Sequence, residues 1–155
     1  MISVLGSCNF QLRGDLYAEL DKVLVNSAPS AVKSEKLLNE ILANSEKRTS
    51  EDTSEFLTIN LLSEKPSRRS VLTTASMSAA QYELTIELIF FITFGDRIIV
   101  PETTLSSRKF FAVSSSNQAA SYEEQLLLQR EMREELLAKV ISMAQYNLAR
   151  IRNST

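Results

Sequence analysis

The strongest constraint on the fold is a long amphipathic hairpin in the middle of the chain. In the segment 81–94 an apolar residue occupies every second position, which is the period of a β-strand. The alternation ends at Gly95-Asp96, a pair typical of a two-residue hairpin turn, and the return strand is predicted from Arg97 to about Ala112. At about 3.3 Å per residue the first arm would be about 46 Å long, which exceeds the usual strand length. The fold must therefore be built around this hairpin.

A two-residue turn also fixes which residues of the two arms face each other. Phe94 should face Arg97, and Ile92 should face Ile99. Further from the turn, Glu87 should face Thr104, and Glu83 should face Arg108 in an opposite-charge pair that supports this register. A bulge at Pro101 would shift the pairing by one residue. Near the turn both faces are apolar, and the second face is predicted to contain Ile89, Phe91, Ile98 and Val100. The hairpin tip is therefore either buried within the protein or covered by a partner.

The part of the chain before the hairpin predicts a strand, a helix and another strand. Residues 22–26 are rich in β-branched and aliphatic side chains, and a helix capped by Ser30 should extend to about Asn44. A polar loop follows, and then an alternating strand over residues 56–62. We expect Pro66 to break or kink that strand, because proline cannot donate to a β-ladder, and we expect it to resume near residues 70–74.

The chain ends with a long helix, predicted over residues 117–151 with Asn117 or a Ser121–Glu124 capping box at its start. The order is therefore strand, helix, three strands, helix. A right-handed crossover places the first helix on one sheet face, and the last helix should cover the same face. The sequence predicts one α/β domain over residues 22–152, a two-layer sandwich of a four-stranded mixed sheet with two helices on one face.

Composition excludes several classes of function. The net charge of −2 argues against a nucleic-acid-binding protein that depends on bulk positive charge. The chain has no histidine, a single cysteine and three glycines, so the common metal sites, nucleophile–base pairs and phosphate-binding loops are not available. We predict no catalytic residue, no metal site and no cofactor. An enzyme that uses only carboxylates is kept as a third hypothesis.

The single cysteine, Cys8, follows Leu5-Gly6-Ser7, which is the pattern that a bacterial lipoprotein signal peptidase recognises. Residues 1–7 are interpreted as a truncated signal remnant, because the basic and apolar regions of a complete signal are missing. Residues 8–21 would form a tether. The alternative is a small buried cysteine in an ordinary cytoplasmic protein. The longest apolar run, residues 88–92, is too short to span a membrane, so attachment would depend on acyl chains at Cys8.

Several motifs occur together in a recognisable order. They are Cys8-Asn9-Phe10-Gln11-Leu12-Arg13, Tyr82-Glu83-Leu84 at the start of the long strand, Phe110-Phe111 at the end of the return strand, and Tyr122-Glu123-Glu124-Gln125 followed by Arg130-Glu131-Met132-Arg133. With these motifs the chain resembles the LPS-assembly lipoprotein family LptE, also called RlpB. The element order is similar over nearly the whole chain, and the residue-level similarity covers residues 8–13 and about 81–137.

The resemblance implies a location and two partners. Members of this family are lipid-anchored at the periplasmic face of the outer membrane, plug the β-barrel LPS translocon LptD, help to assemble it and interact with lipopolysaccharide. Cys8 would carry the lipid, and the predicted contacts with the barrel are Ile89, Phe91, Ile98 and Val100. The alternative function is a free-standing periplasmic module that binds lipid or LPS.

The chain departs from the family pattern where relatives carry a basic residue, since the turn over residues 75–80 is uncharged. The nearest basic residues are Arg68, Arg69, Arg97, Arg108 and Lys109, which are the candidates for binding lipid A phosphates. The alternative is that they are exposed charges that protect strand edges from aggregation.

Overall fold

The computed structural model describes residues 23–43, 56–73, 79–114 and 116–153. Cys8, the predicted signal remnant and the predicted tether lie outside these ranges. The described elements are β1 (Val23–Ser27), a 3-10 turn (Pro29–Ala31), α1 (Val32–Ala43), β2 (Leu57–Thr73), β3 (Ala79–Phe94), β4 (Arg97–Ser114) and α2 (Gln118–Arg152). Neither described helix combines the length and apolarity that crossing a bilayer requires.

The four strands form one mixed sheet in the order β1-β2-β3-β4. β1 and β2 are parallel and are connected through α1, whereas β2, β3 and β4 are antiparallel neighbours. Both helices lie on the same side of the sheet, because Ser34 of α1 and Arg133 of α2 contact the same side chain of β2, Glu64. The predicted two-layer α/β sandwich and its element order are confirmed.

β2 continues through Pro66, so the predicted break at this residue is wrong. β1 covers only the segment 57–61 of β2, and within the described residues the outer edge of β2 has no strand neighbour beyond Leu61. A proline at a free edge removes no ladder hydrogen bond, because its nitrogen can face away from the neighbouring strand. Pro66 therefore keeps its place in the strand, opposite Ile86 of β3.

The register of the central hairpin agrees with the prediction only at the turn. Phe94 pairs with Arg97 and Gly95 has a φ of 55°, which glycine adopts readily. Two irregularities in β4 then shift the pairing by two residues. Ile92 pairs with Val100, Glu87 with Ser106 and Glu83 with Phe110, so the predicted ladder partners Ile99, Thr104 and Arg108 are wrong. The predicted charge pair between Arg108 and Glu83 nevertheless forms, at 3.7 Å.

The second irregularity lies at Pro101, where the sequence predicts a possible bulge. The Thr103 hydroxyl donates to the Pro101 carbonyl at 2.8 Å, which closes the bulge, and Phe90 then pairs with Thr103. Between the two irregularities Val100 turns towards the helices and is only 2% exposed. Its predicted place on the second face of the hairpin is therefore wrong, and Val100 is a core residue.

The core lies between the helices and one face of the sheet. β3 supplies alternate residues that are each at most 1% exposed, namely Leu84, Ile86, Leu88, Phe90 and Ile92. α2 covers them with Met132, Leu136, Leu137, Val140, Ile141, Ala144 and Leu148. Burial of each large apolar side chain stabilises the fold by about 1.5–3 kcal/mol. The N-cap of α2 is Asn117, whose side chain accepts from the Ala120 amide, so the earlier of the two predicted starts is the observed one.

A buried ion pair ties the two layers together. The Arg133 guanidinium donates from Nη2 and Nε to Glu64 Oε1 at 2.7 and 2.9 Å, and Ser34 donates to the other carboxylate oxygen. Both charged side chains are almost fully buried, with 8% and 2% of their side-chain surface exposed. The cluster links α1, β2 and α2, so it fixes the position of both helices on the sheet.

Replacing Arg133 with methionine should destabilise the fold strongly. Arg133→Met leaves the Glu64 carboxylate buried without its cation, and we expect a loss of about 3–5 kcal/mol in the free energy of unfolding. The measurement is equilibrium urea denaturation. In the double variant Glu64→Leu/Arg133→Met, most of that loss should be recovered.

The matched control is Arg130→Met, on the same helix. Its guanidinium is 59% exposed and contacts Glu134 and Glu40, so the loss should stay within about 1 kcal/mol. Equal effects of the two single variants would contradict the proposed role of the buried pair.

Candidate partner-binding face of the sheet

The sheet has one face that neither described helix covers, and we call it the open face. Its side chains stand in cross-strand rows, because neighbouring strands place paired residues side by side. From the hairpin turn outwards the rows are Leu24–Thr58–Thr93–Ile98, Asn26–Asn60–Phe91, Ser63–Ile89–Thr104, Lys65–Glu87–Ser106, Ser67–Thr85–Arg108 and Arg69–Glu83–Phe110. Near the turn the face combines apolar side chains with Thr and Asn, its middle is polar, and its far end is basic.

The exposed apolar side chains of the open face lie at the end nearest the turn, among Thr and Asn residues. Ile98 is 65% exposed and Leu24 is 51% exposed, and they occupy opposite ends of the same row. Phe91 and Ile89 follow in the next two rows and are partly exposed. The structure thus brings together Ile89, Phe91 and Ile98, three of the four predicted barrel contacts, and we call these three residues with Leu24 the apolar end. The missing member is Val100, which lies in the core.

The far end of the open face contains a carboxylate between two arginines, and we call Arg69, Glu83 and Arg108 the arginine cluster. Arg69 donates from Nε to Glu83 Oε1 at 3.0 Å and from Nη2 to Oε2 at 3.2 Å. Arg108 Nε lies 3.7 Å from Glu83 Oε1. Arg108 reaches Glu83 diagonally, because its own partner in the ladder is Thr85.

The arginine cluster exposes cations over a covered anion. The Glu83 side chain is only 7% exposed, whereas Arg69 and Arg108 are 72% and 60% exposed. One carboxylate offsets one guanidinium, so the cluster carries a formal charge of +1. The bidentate pairing with Arg69 holds Glu83 in place, and the outward parts of both guanidinium groups remain available to an anion in solution.

The other predicted phosphate-binding residues lie elsewhere. Arg68 lies on the helix side, where it donates to Gln125 at 3.0 Å and lies 4.7 Å from the centre of the Tyr82 ring. Lys109 also lies on that side and pairs with Glu131 of α2 at 2.8 Å. Arg97 lies at the turn, opposite Phe94. Five candidates therefore occupy three places, and only Arg69 and Arg108 converge.

Sequence reasoning paired Glu83 with Arg108 but missed Arg69 as the second cation on the same carboxylate, and it missed the exposure of Phe110. Phe110 pairs with Glu83 across the strands and is 52% exposed beside the arginines. The signal was present, because the two strands that flank Glu83 each carry an arginine whose charge complements its carboxylate. This charge complementarity could be recognised only once the register of β3 with β2 and β4 was known. Among the described residues no group of three metal-ligating side chains comes together.

The fold belongs to the class of two-layer α/β sandwiches found in bacterial lipoproteins of known structure. No protein-family model and no curated protein matches the chain. Solved structures do match, and one is the minor lipoprotein from Acinetobacter baumannii, with a TM-score of 0.62, 15% identity, and coverage of 83% of this chain and 92% of that chain.

Two further matches carry lipoprotein B names. The rare lipoprotein B from Shewanella oneidensis matches with a TM-score of 0.56 and 17% identity over 86% of this chain and 95% of that chain. An uncharacterized lipoprotein B from Nitrosomonas europaea matches with a TM-score of 0.52 and 14% identity over 78% of this chain and 79% of that chain. At these identities the likeness is one of fold. At that level it confirms the resemblance that the sequence motifs predicted.

Removal of Arg69 should destabilise the open face. Arg69→Ala leaves the covered Glu83 carboxylate with only the longer contact to Arg108, and we expect a loss of about 1–3 kcal/mol in the free energy of unfolding by urea denaturation. Adding Glu83→Gln to that variant should recover part of the loss. The control Arg97→Ala, at the exposed turn, should change the free energy by no more than about 0.5 kcal/mol. An Arg69→Ala protein as stable as this control would contradict the pairing.

Proposed function

We propose that this protein is an outer-membrane lipoprotein of the LptE type, anchored by lipid on Cys8, that plugs and helps to assemble the β-barrel LPS translocon LptD. In this role it assists the delivery of lipopolysaccharide to the cell surface. The proposal is supported by the sequence motifs around residues 8–13 and 81–137 and by the shared fold with lipoproteins, including rare lipoprotein B.

The observation that carries the proposal is the open face with its apolar end. Four apolar side chains at one end of an uncovered face, interspersed with Thr and Asn, support a binding site for another molecule, because water is a poor solvent for exposed apolar groups. The polar rows beside the apolar end provide the polar rim that protein interfaces usually have. The face is also built on a sheet whose other side is a packed core, so it is presented rigidly. These properties suit a protein that docks as a preformed body.

Lipid attachment would keep this face close to its partner. The residues before Cys8 match the recognition pattern of lipoprotein processing, and several acyl chains on one cysteine hold a protein stably at a membrane. The barrel is itself a resident of the outer membrane. Anchoring both proteins in the same membrane raises their effective concentration for each other.

A charge at the apolar end should disrupt the complex with the barrel. Because Ile98 is 65% exposed, Ile98→Asp should leave the fold intact and should place an unpaired carboxylate in the interface. We expect tagged Ile98→Asp protein to co-purify with at least about tenfold less LptD than the wild type. The matched control is Leu127→Asp on α2, where the leucine is 58% exposed and lies away from the open face. Retention of the complex by Ile98→Asp, with its thermal unfolding unchanged, would count against the apolar end as the docking surface.

The arginine cluster supports direct contact with lipopolysaccharide. Its two exposed guanidinium groups can bind phosphate oxygens in bidentate fashion, and the exposed Phe110 ring beside them offers apolar surface for an acyl chain. The same observation favours the second candidate function, a free-standing periplasmic module that binds LPS without a barrel. The two candidates differ in whether a stable barrel complex exists.

Neutralising the arginine cluster should weaken LPS binding. The triple variant Arg69→Gln/Glu83→Gln/Arg108→Gln removes the cations without leaving a covered carboxylate unpaired. We expect its affinity for purified LPS to fall by at least about tenfold, measured by fluorescence titration. The triple variant and the wild type should bind dephosphorylated LPS with equal affinity.

The control for this titration is Arg68→Gln, because Arg68 lies on the opposite side of the sheet. Equal binding by the triple variant and the wild type would exclude the arginine cluster as the LPS site. Saturable LPS binding by a protein that retains no barrel in co-purification would favour the free-standing module.

A further inference from the structure

The hairpin turn lies at one end of the domain, where an aromatic ring and a cation are exposed. β2 starts beside the turn, because the Gly95 amide donates to the Phe56 carbonyl at 3.0 Å, and Arg97 is the first residue of β4. The Phe56 side chain is 42% exposed, and Arg97 is exposed as well. This end of the sheet therefore presents both groups to the surroundings of the protein.

The last turns of α2 reach the same end of the domain. Glu131 of α2 contacts Lys109 of β4. One helical turn later Glu135 contacts Ser107, which is closer to the hairpin turn, so α2 and β4 are antiparallel. From that contact the remaining 17 residues of α2 cover about 26 Å, and the eight ladder positions of β3 between Ser107 and the turn cover the same distance. Arg152 therefore lies level with the hairpin turn.

Charge is divided unevenly along α2. Its first half, residues 118–135, contains five glutamates and two arginines, whereas residues 136–152 contain three cations and no acid. Two of these cations, Arg150 and Arg152, are exposed near the end of the helix. The Arg150 guanidinium lies 5.8 Å from the centre of the Tyr146 ring, and Tyr146 is 65% exposed. We call the following five residues the basic tip: Phe56, Arg97, Tyr146, Arg150 and Arg152.

The helix macrodipole explains only part of the basic tip. Cations in the last turn stabilise a helix, so Arg150 and Arg152 alone would not indicate a ligand. Arg97 belongs to another element, and within the described residues no ion pair includes Arg97 or Arg152. With the neighbouring carboxylate of Asp96 counted, the three arginines give this end a formal charge of +2. Two separate elements thus bring exposed cations to one place.

The position of Val23 indicates what the basic tip faces. Val23 is the first residue of β1 and pairs with Leu57 at the turn end of the sheet, so the chain before it joins the sheet there. In any conformation the 15 residue steps from Cys8 to Val23 span at most about 54 Å. The 35 residues of α2 are themselves about 52 Å long. A lipid on Cys8 would therefore hold the basic tip near the membrane, and only a fully extended tether would let the far end of the domain reach it.

We propose that the basic tip is the membrane-facing surface of the domain and that it binds the anionic phospholipid headgroups of the bilayer that holds the lipid on Cys8. Its cations complement a negatively charged membrane surface, and each cation close to such a surface strengthens binding by about fivefold. Exposed aromatic rings beside cations are typical of the membrane–water interface. The inference rests on the anchor at Cys8, which belongs to the proposed function, but it requires no barrel. In this orientation the arginine cluster lies at the end of the sheet away from the bilayer.

Tryptophan fluorescence tests this orientation, because the chain contains no tryptophan of its own. The full chain with Phe56→Trp is coupled through Cys8, its only thiol, to a maleimide lipid in vesicles of phosphatidylcholine and phosphatidylglycerol with brominated acyl chains. We expect the bromine atoms to quench at least about half of the fluorescence, because interfacial side chains insert about 5–10 Å into the headgroup region. The matched control is Tyr122→Trp at the start of α2, a 59% exposed position that should escape quenching.

Charge dependence separates lipid binding from the proximity that the tether alone imposes. Adding Arg97→Gln/Arg152→Gln to the Phe56→Trp chain should reduce the quenching by at least about twofold, and so should vesicles without phosphatidylglycerol. The control Lys33→Gln/Lys36→Gln removes the same charge from exposed positions of α1 and should leave the quenching unchanged. Quenching that does not depend on the two arginines or on the anionic lipid would overturn the proposed lipid binding.

Equal quenching of the Phe56→Trp and Tyr122→Trp chains, or stronger quenching of the second, would overturn the proposed orientation. If Phe56→Trp does not fold, Tyr146→Trp is the second reporter at the basic tip, because that position is exposed. These outcomes leave the barrel complex untouched, since the vesicles contain no barrel. A Cys8 thiol that reacts with the maleimide only after unfolding would instead contradict the anchor, and with it both this inference and the proposed function.

Discussion

β3 is hydrogen-bonded to a neighbour on both sides along almost its whole length, and this double pairing fixes the side-chain parity of the sheet. Its even-numbered residues from Leu84 to Ile92 are apolar and buried, and its odd-numbered residues face the other way. β2 and β4 must place their own side chains to match, because paired residues share a face. Where their sequences would not match, the strands contain bulges. The central strand thus decides which residues form the core and which form the open face.

One polar cluster contacts both helices on the same side of the sheet. Glu64 lies in the core register of β2, opposite Leu88, where a carboxylate would be costly without partners. Arg133 from α2 and Ser34 from α1 supply them, so the correct placement of either helix depends on the same β2 side chain. A buried ion pair is weak evidence for stability, because apolar residues of similar volume often stabilise a fold as well. Its hydrogen bonds do, however, require a defined geometry of the two partners. With both helices held there, the opposite face of the sheet is left for other contacts.

The sequence predicted what is encoded locally and failed where the outcome depends on neighbours. The alternation in β3, the turn at Gly95 and the long helix are local patterns, and all three are observed. The effect of Pro66 depends on whether β2 has a neighbour at that point, which the residues around it do not reveal. The register beyond Pro101 depends on how many residues each bulge adds. An error of one residue moves a side chain to the other face, and for this reason Val100 was misassigned.

The bulges also explain how the open face has two different ends. Without them Arg108 would lie directly opposite Glu83, and Val100 would lie at the apolar end. With them, Val100 fills the core, Phe110 takes the position opposite Glu83, and Arg108 still reaches the carboxylate diagonally at 3.7 Å. The row of Thr93 and the row of Glu83 are about 33 Å apart at about 3.3 Å per residue. An apolar partner and an anionic ligand can therefore occupy the same rigid face together without competing for the same side chains.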